Sequence, residues 1–174
     1  MKPQKILVPL DGSALAEAAL PKALEMAESS GAKLLLMRAA AAHRLPGVDP
    51  TEAQIRVVRE AEDYLARVGD RLAALGQTNV ETSVWYGPAA YAIVEATRLN
   101  KVGLIAMTTH GRSGLGRLIL GSVAESVLRG TTTPILLIRA AEAPVQAPLE
   151  KGEAKPWQGS MAARGRREGT AHVT

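Results

Sequence analysis

Residues 102–122 read Val102-Gly103-Leu104-Ile105-Ala106-Met107-Thr108-Thr109-His110-Gly111-Arg112-Ser113-Gly114-Leu115-Gly116-Arg117-Leu118-Ile119-Leu120-Gly121-Ser122. The first six form an apolar run of the kind found in parallel strands buried on both faces. A glycine-rich loop, residues 108–122, follows at once, and residues 122–129 have the length and pattern of a short helix. Strand, glycine loop and helix in this order make a phosphate cradle. Glycines tolerate positive φ and let backbone N–H groups come close to an anion. The helix N-terminus adds unpaired N–H groups and the positive end of its dipole. We therefore expect this loop to bind the phosphates of a nucleotide. The loop's glycines would give close approach, Gly121-Ser122 the helix start, Ser122 a hydroxyl donor, and Arg112 or Arg117 positive charge.

Two familiar phosphate loops are excluded by spacing. Gly116 and Gly121 are four residues apart, but Ser122-Val123 follows where a Walker A loop needs Lys and then Ser or Thr. The dinucleotide pattern G-x-G-x-x-G is absent, because Gly114-x-Gly116 meets Ile119 where the third glycine belongs.

Outward from the loop, strand and helix patterns alternate. Ile6-Leu7-Val8-Pro9-Leu10 reads as a buried strand, and Asp11-Gly12-Ser13 breaks it. Ser13 caps a helix predicted to run to about residue 29, with a kink at Pro21. Residues 33–37 are the second strand and residues 38–50 an alanine-rich loop. Asp49 caps a long helix with Pro50 at its first position, an apolar stripe of Ile55, Val58, Ala61, Leu65, Val68 and Leu72, and a stop at Gly76. Residues 80–86 alternate like a less buried strand, in which Trp85 and Tyr86 are read as packing residues. Gly87-Pro88 turns the chain into a helix ending near residue 99. Residues 102–107 are the fourth strand and residues 134–138 the fifth. Five strands and four helices in alternation imply an α/β fold: an open five-stranded parallel sheet with helices on both faces, Rossmann-like in architecture. In such sheets ligands bind beyond the carboxyl ends of the strands, at the reversal of strand order.

The chain has 174 residues, no cysteine, no phenylalanine and a net charge of +4. Disulfide and thiolate chemistry are excluded. A balance of 21 basic and 17 acidic residues is no nucleic-acid signature. No apolar run approaches the roughly 18 residues of a membrane span, and the N-terminus runs straight into a strand pattern, so a cytoplasmic protein is expected. Residues 1–140 read as one domain. Residues 141–174, with few large apolar side chains and no periodicity, read as a disordered tail.

Four segments together resemble the universal stress protein family over roughly residues 3–140. They are residues 6–13, Gly87-Pro88-Ala89, His110 to Gly121-Ser122, and Pro134-Ile135-Leu136-Leu137-Ile138-Arg139. The third resembles the G-x2-G-x9-G-[ST] motif of ATP-binding members: Gly111 is followed by nine residues and then Gly121-Ser122, while Thr108 stands at the first glycine. The resemblance implies an adenine-nucleotide hydrolase-like fold, a homodimer formed through the fifth strand, and ATP as ligand, with Mg²⁺ accompanying the phosphates. It places Asp11 near ribose and phosphates, Ala39 at the adenine edge, Met107 along the pocket, and Gly111, Gly121 and Ser122 around the phosphates. Pro9, Leu10, Thr108, Arg112, Gly114 and Val123 complete the implied set.

Each of these residues also has a structural role open to it. Asp11 can close a turn on nearby N–H groups, and Ser122 with Glu125 three residues on can form a capping box. His110 has no partner at a catalytic offset and reads as structural. No nucleophile–base pair or metal-ligand spacing is found, so the expectation is binding with a regulatory role. A slow ATPase or phosphoryl- or nucleotidyl-transfer enzyme, or an interaction module without nucleotide, are the alternatives.

Overall fold

The computed structural model describes residues 2–41, 49–109 and 120–139. Five parallel strands form one sheet: β1 (Lys5–Pro9), β2 (Lys33–Ala40), β3 (Val80–Tyr86), β4 (Leu104–Thr108) and β5 (Ile135–Ile138). Their order is β3-β2-β1-β4-β5. The chain builds outward from β1 to β3, then crosses back to add β4 and β5 on the other side. This reversal opens a crevice at the carboxyl ends of β1 and β4. The α/β class and open parallel sheet are those expected.

The central strands are apolar because both faces are covered: Ile6, Leu7, Val8, Ile105 and Ala106 are all 0% exposed. Among the described residues five helices do the covering, α1 (Ala14–Glu17), α2 (Leu20–Ser30), α3 (Pro50–Ala74), α4 (Ala89–Leu99) and α5 (Ser122–Gly130). Ile6, Val8, Leu34, Leu36 and Ala106 pack with Ala23 and Ala27 of α2 and Leu65, Val68 and Leu72 of α3. Leu7, Leu35, Met37, Ile105 and Met107 pack with Ala92, Ile93 and Ala96 of α4 and Ala124 and Val127 of α5. Each large aliphatic side chain so buried contributes about 1.5–3 kcal/mol, and the interleaved alanines let the helices lie close to the sheet. Among the described residues no helix is long and apolar enough to cross a membrane.

Several boundaries differ from the sequence reading. The first helix is two helices rather than one kinked helix. Proline lacks the N–H that a continuous helix needs and its ring collides with the carbonyl four residues back. The helix therefore stops at Glu17 and a new one starts with Pro21 in the first turn of α2. β2 continues through Arg38-Ala39-Ala40, expected as loop, because these residues pair with Val84, Trp85 and Tyr86 of β3. In α3, Ile55 is 47% exposed while Ala53 is buried, so the first turns turn their apolar face away from the stripe's line. Tyr86 is 50% exposed and is not a packing residue. Trp85 does pack against the second cluster. The expected tail, residues 141–174, lies outside the described residues.

Candidate functional site

A cavity of about 270 Å³ lies at the carboxyl ends of the central strands. One wall begins where β1 ends. The Leu10 N–H donates to the Met37 carbonyl at 2.7 Å and holds the chain against β2. Asp11 then closes a tight turn, its Oδ1 accepting the Ser13 N–H at 2.9 Å. Gly12 has φ +86°, a conformation that side-chain-bearing residues rarely adopt, so glycine is required there. Ser13 Oγ accepts the Ala16 N–H at 3.1 Å and caps α1. Pro9, Leu10, Asp11 and Ala16 all face the cavity.

The opposite wall is the end of β4 and the start of α5. Thr108 is the last residue of β4, pairs with Ile138 and is 8% exposed. The sequence pattern makes it the first residue of the glycine loop, where positive φ would be costly for a β-branched side chain. The strand's pairing carries it instead, and among the described residues the non-glycine positive φ is at Lys101. Thr109 is bonded on both sides: its N–H donates to the Ile138 carbonyl at 3.1 Å, and its own carbonyl accepts the Gly121 N–H at 2.7 Å. That second bond draws the start of α5 against the end of β4.

At α5 the capping box expected from Ser122 and Glu125 does not form. Gly121 is the N-cap, with φ −56° and ψ 146°, and Ser122 is already helical. The Glu125 N–H donates to the Gly121 carbonyl at 2.9 Å, while its carboxylate accepts from Arg129 Nη2 at 2.9 Å. The helix thus begins without a side-chain cap, and its first-turn N–H groups and dipole face the cavity lined by Gly121, Ser122 and Val123.

Nine residues expected at the site line this cavity: Pro9, Leu10, Asp11, Ala39, Met107, Thr108, Gly121, Ser122 and Val123. Gly111, Arg112 and Gly114 lie outside the described residues, as do His110 and Arg117. The cavity also takes Ala16, Ala89, Ile93, Thr109 and Ala124, which the sequence reading did not assign to it. Alanines carry no chemical signal. Their common sign is position, since Ala16, Ala89 and Ala124 each lie in the first turn of a helix that follows a strand. The lining is mainly apolar, and Asp11 is the charged side chain among its described residues.

A doubly wound parallel sheet, with its cleft at the strand reversal and an uncapped helix start on that cleft, defines an α/β protein of the nucleotide-fold class. The model of the universal stress protein family matches residues 2–139. This chain belongs to the universal stress protein family. A universal stress protein of Methanocaldococcus jannaschii is 29% identical over 141 residues, covering 78% of this chain and 82% of the relative. Universal stress protein UspA from Lactobacillus plantarum superposes with a TM-score of 0.68 at 26% identity, over 78% of this chain and 97% of that one. A universal stress protein solved in complex with cAMP shares the fold, with a TM-score of 0.63 at 24% identity over 81% of this chain and 100% of that one.

Proposed function

We propose that this protein binds an adenine nucleotide, ATP in particular, and acts as a regulatory homodimer in the cytoplasm, with residues 1–140 as the binding unit. The observation that carries the reading is the Gly121–Thr109 bond, which seats an uncapped helix start on the cavity opposite Asp11. A phosphate placed there meets free N–H groups and the positive end of a dipole. Gly121 strengthens the case. Its backbone angles are open to any residue, so its missing side chain serves approach rather than conformation.

The remaining lining sorts by chemistry. Ala39, Ile93 and Met107 offer apolar walls to a base, and the backbone at Ala39 lies where its edge can be read. Asp11 accepts from ribose hydroxyls with the oxygen not used by Ser13. Gly111, Arg112 and Gly114 extend the phosphate contacts of Gly121, Ser122 and Val123. One carboxylate suits a Mg²⁺ ion held chiefly by the phosphates, not by a protein cage. The dimer forms through β5, an apolar edge strand with Leu137 37% exposed.

Protein purified without added nucleotide, then denatured, tests the binding: anion exchange of the supernatant is expected to yield ATP, ADP or AMP. Calorimetry of stripped protein with Mg-ATP is expected to show saturable heat. A supernatant without nucleotide, together with a titration without heat, would refute the reading.

A further inference from the structure

α1 has only four residues, too few to hold themselves helical. Yet α1 carries Ala16, and the turn before it carries Asp11, both on the cavity wall. Their placement is fixed from outside, by α3 and β2. The Tyr64 hydroxyl donates to Glu17 Oε1 at 2.8 Å, and Arg71 Nη2 donates to Glu17 Oε2 at 2.6 Å. Both oxygens of the last residue of α1 are therefore held by α3. The same tyrosine ring carries the Arg38 guanidinium, 4.8 Å from its centroid. That guanidinium also abuts the turn, since a Cβ placed on Gly12 would lie 3.5–3.6 Å from its atoms. Arg38 in turn is the β2 neighbour of Ala39, whose position lines the cavity.

We propose that Tyr64, seated between Arg38 and Glu17, is a positioning residue for the nucleotide cavity, holding the turn at residues 11–13 and α1 in place against β4. It touches no ligand. It acts through Glu17 on one end of the Asp11–α1 segment and through Arg38 on the other. Burial, and after it the bond to Glu17, pushes the Tyr64 hydroxyl above its ordinary value of 10.0, so the group stays a donor at neutral pH. Asp11 and Arg38 are the other charges felt at Tyr64, with opposite effects.

The cavity's role as a nucleotide site is the reading given above, so the experiment separates the two. Tyr64→Phe keeps the ring under Arg38 and deletes the hydroxyl. Arg38→Met deletes the charge, and Arg38→Lys restores it. Glu81→Gln breaks two ion pairs, to Lys5 and Lys33, at the other end of the sheet and serves as control. Hydrogen exchange is measured at the Ser13 and Ala16 amides, both hydrogen-bonded within the turn and cap, and affinity by calorimetry with ATP and with AMP. In Tyr64→Phe and Arg38→Met, exchange at these amides is expected to quicken about tenfold and both affinities to fall about three- to tenfold. Arg38→Lys recovers part of both, and Glu81→Gln changes neither. Unchanged exchange at Ser13 and Ala16 overturns the proposal whether or not nucleotide binds. Faster exchange with unchanged affinity, in a protein whose wild type binds, overturns it too, as does an equal affinity loss in Glu81→Gln. A wild type that binds neither nucleotide refutes the nucleotide site instead, and the exchange rates then decide the positioning role.

Discussion

Thr108, which the sequence resemblance sets against a motif glycine, has surroundings that suit threonine. It closes a fully buried strand in register with Ile138, a position that favours a β-branched residue. Thr108→Gly is therefore expected to destabilise the protein by about 1–2 kcal/mol, through lost strand preference and added backbone entropy. The midpoint of urea unfolding measures it, and an unshifted midpoint would contradict the assignment. Glu81 gives a second test at this scale. Its carboxylate accepts from Lys33 Nζ at 2.7 Å and Lys5 Nζ at 2.9 Å. The Lys33 bond first, then the Lys5 bond, hold it below its ordinary value of 4.5. A carboxylate with a lowered folded-state value stabilises above the unfolded value, and that stability disappears as pH falls through the folded one. Glu81 is 41% exposed, so solvent screening limits the gain to less than about 1 kcal/mol. The stability gap between wild type and Glu81→Gln is expected at pH 7 and to shrink as pH falls below 4.5. A gap that stays constant as the carboxylate is titrated would show that the loss is not electrostatic.

α5 begins at a glycine N-cap, and a capping side chain there would compete with the ligand for the same N–H groups. Gly121→Asp fits the extended N-cap backbone and is expected to raise stability by a few tenths of a kcal/mol, while weakening ATP binding at least about tenfold through charge repulsion. Thermal melts and calorimetry read the two effects, and intact affinity would remove the phosphates from α5. Element types were legible in the sequence because the buried strands are apolar runs and α3 keeps a helical stripe from Ala61 to Leu72. Boundaries were less so. Residues 15–27 show one unbroken apolar stripe, and only the backbone chemistry of Pro21 divides it. The end of β2 is written in alanines, whose strand state is decided by pairing with Trp85 and Tyr86. Ser122 and Glu125 have the spacing of a capping box, but a start one residue earlier left Glu125 to pair with Arg129.

For the whole molecule, the order of the strands mattered most. Placing β1 between β2 and β4 joins residues near 10, 39, 108 and 121 into one cavity. The site is legible from topology alone, because ligands in such sheets bind where the strand order reverses. The same order leaves β5 at an edge. Leu137→Lys puts charge on that edge and is expected to convert a dimer at micromolar concentration into a monomer, as size exclusion with light scattering would show. A wild type that is already monomeric would contradict the dimer. The bond from the Gly121 N–H to the Thr109 carbonyl has one more consequence. It brings the two ends of the intervening segment within a single hydrogen bond of each other, as the neck of a detachable module would. That bond runs from backbone to backbone, so the clasp between β4 and α5 does not depend on which side chains stand at its two ends.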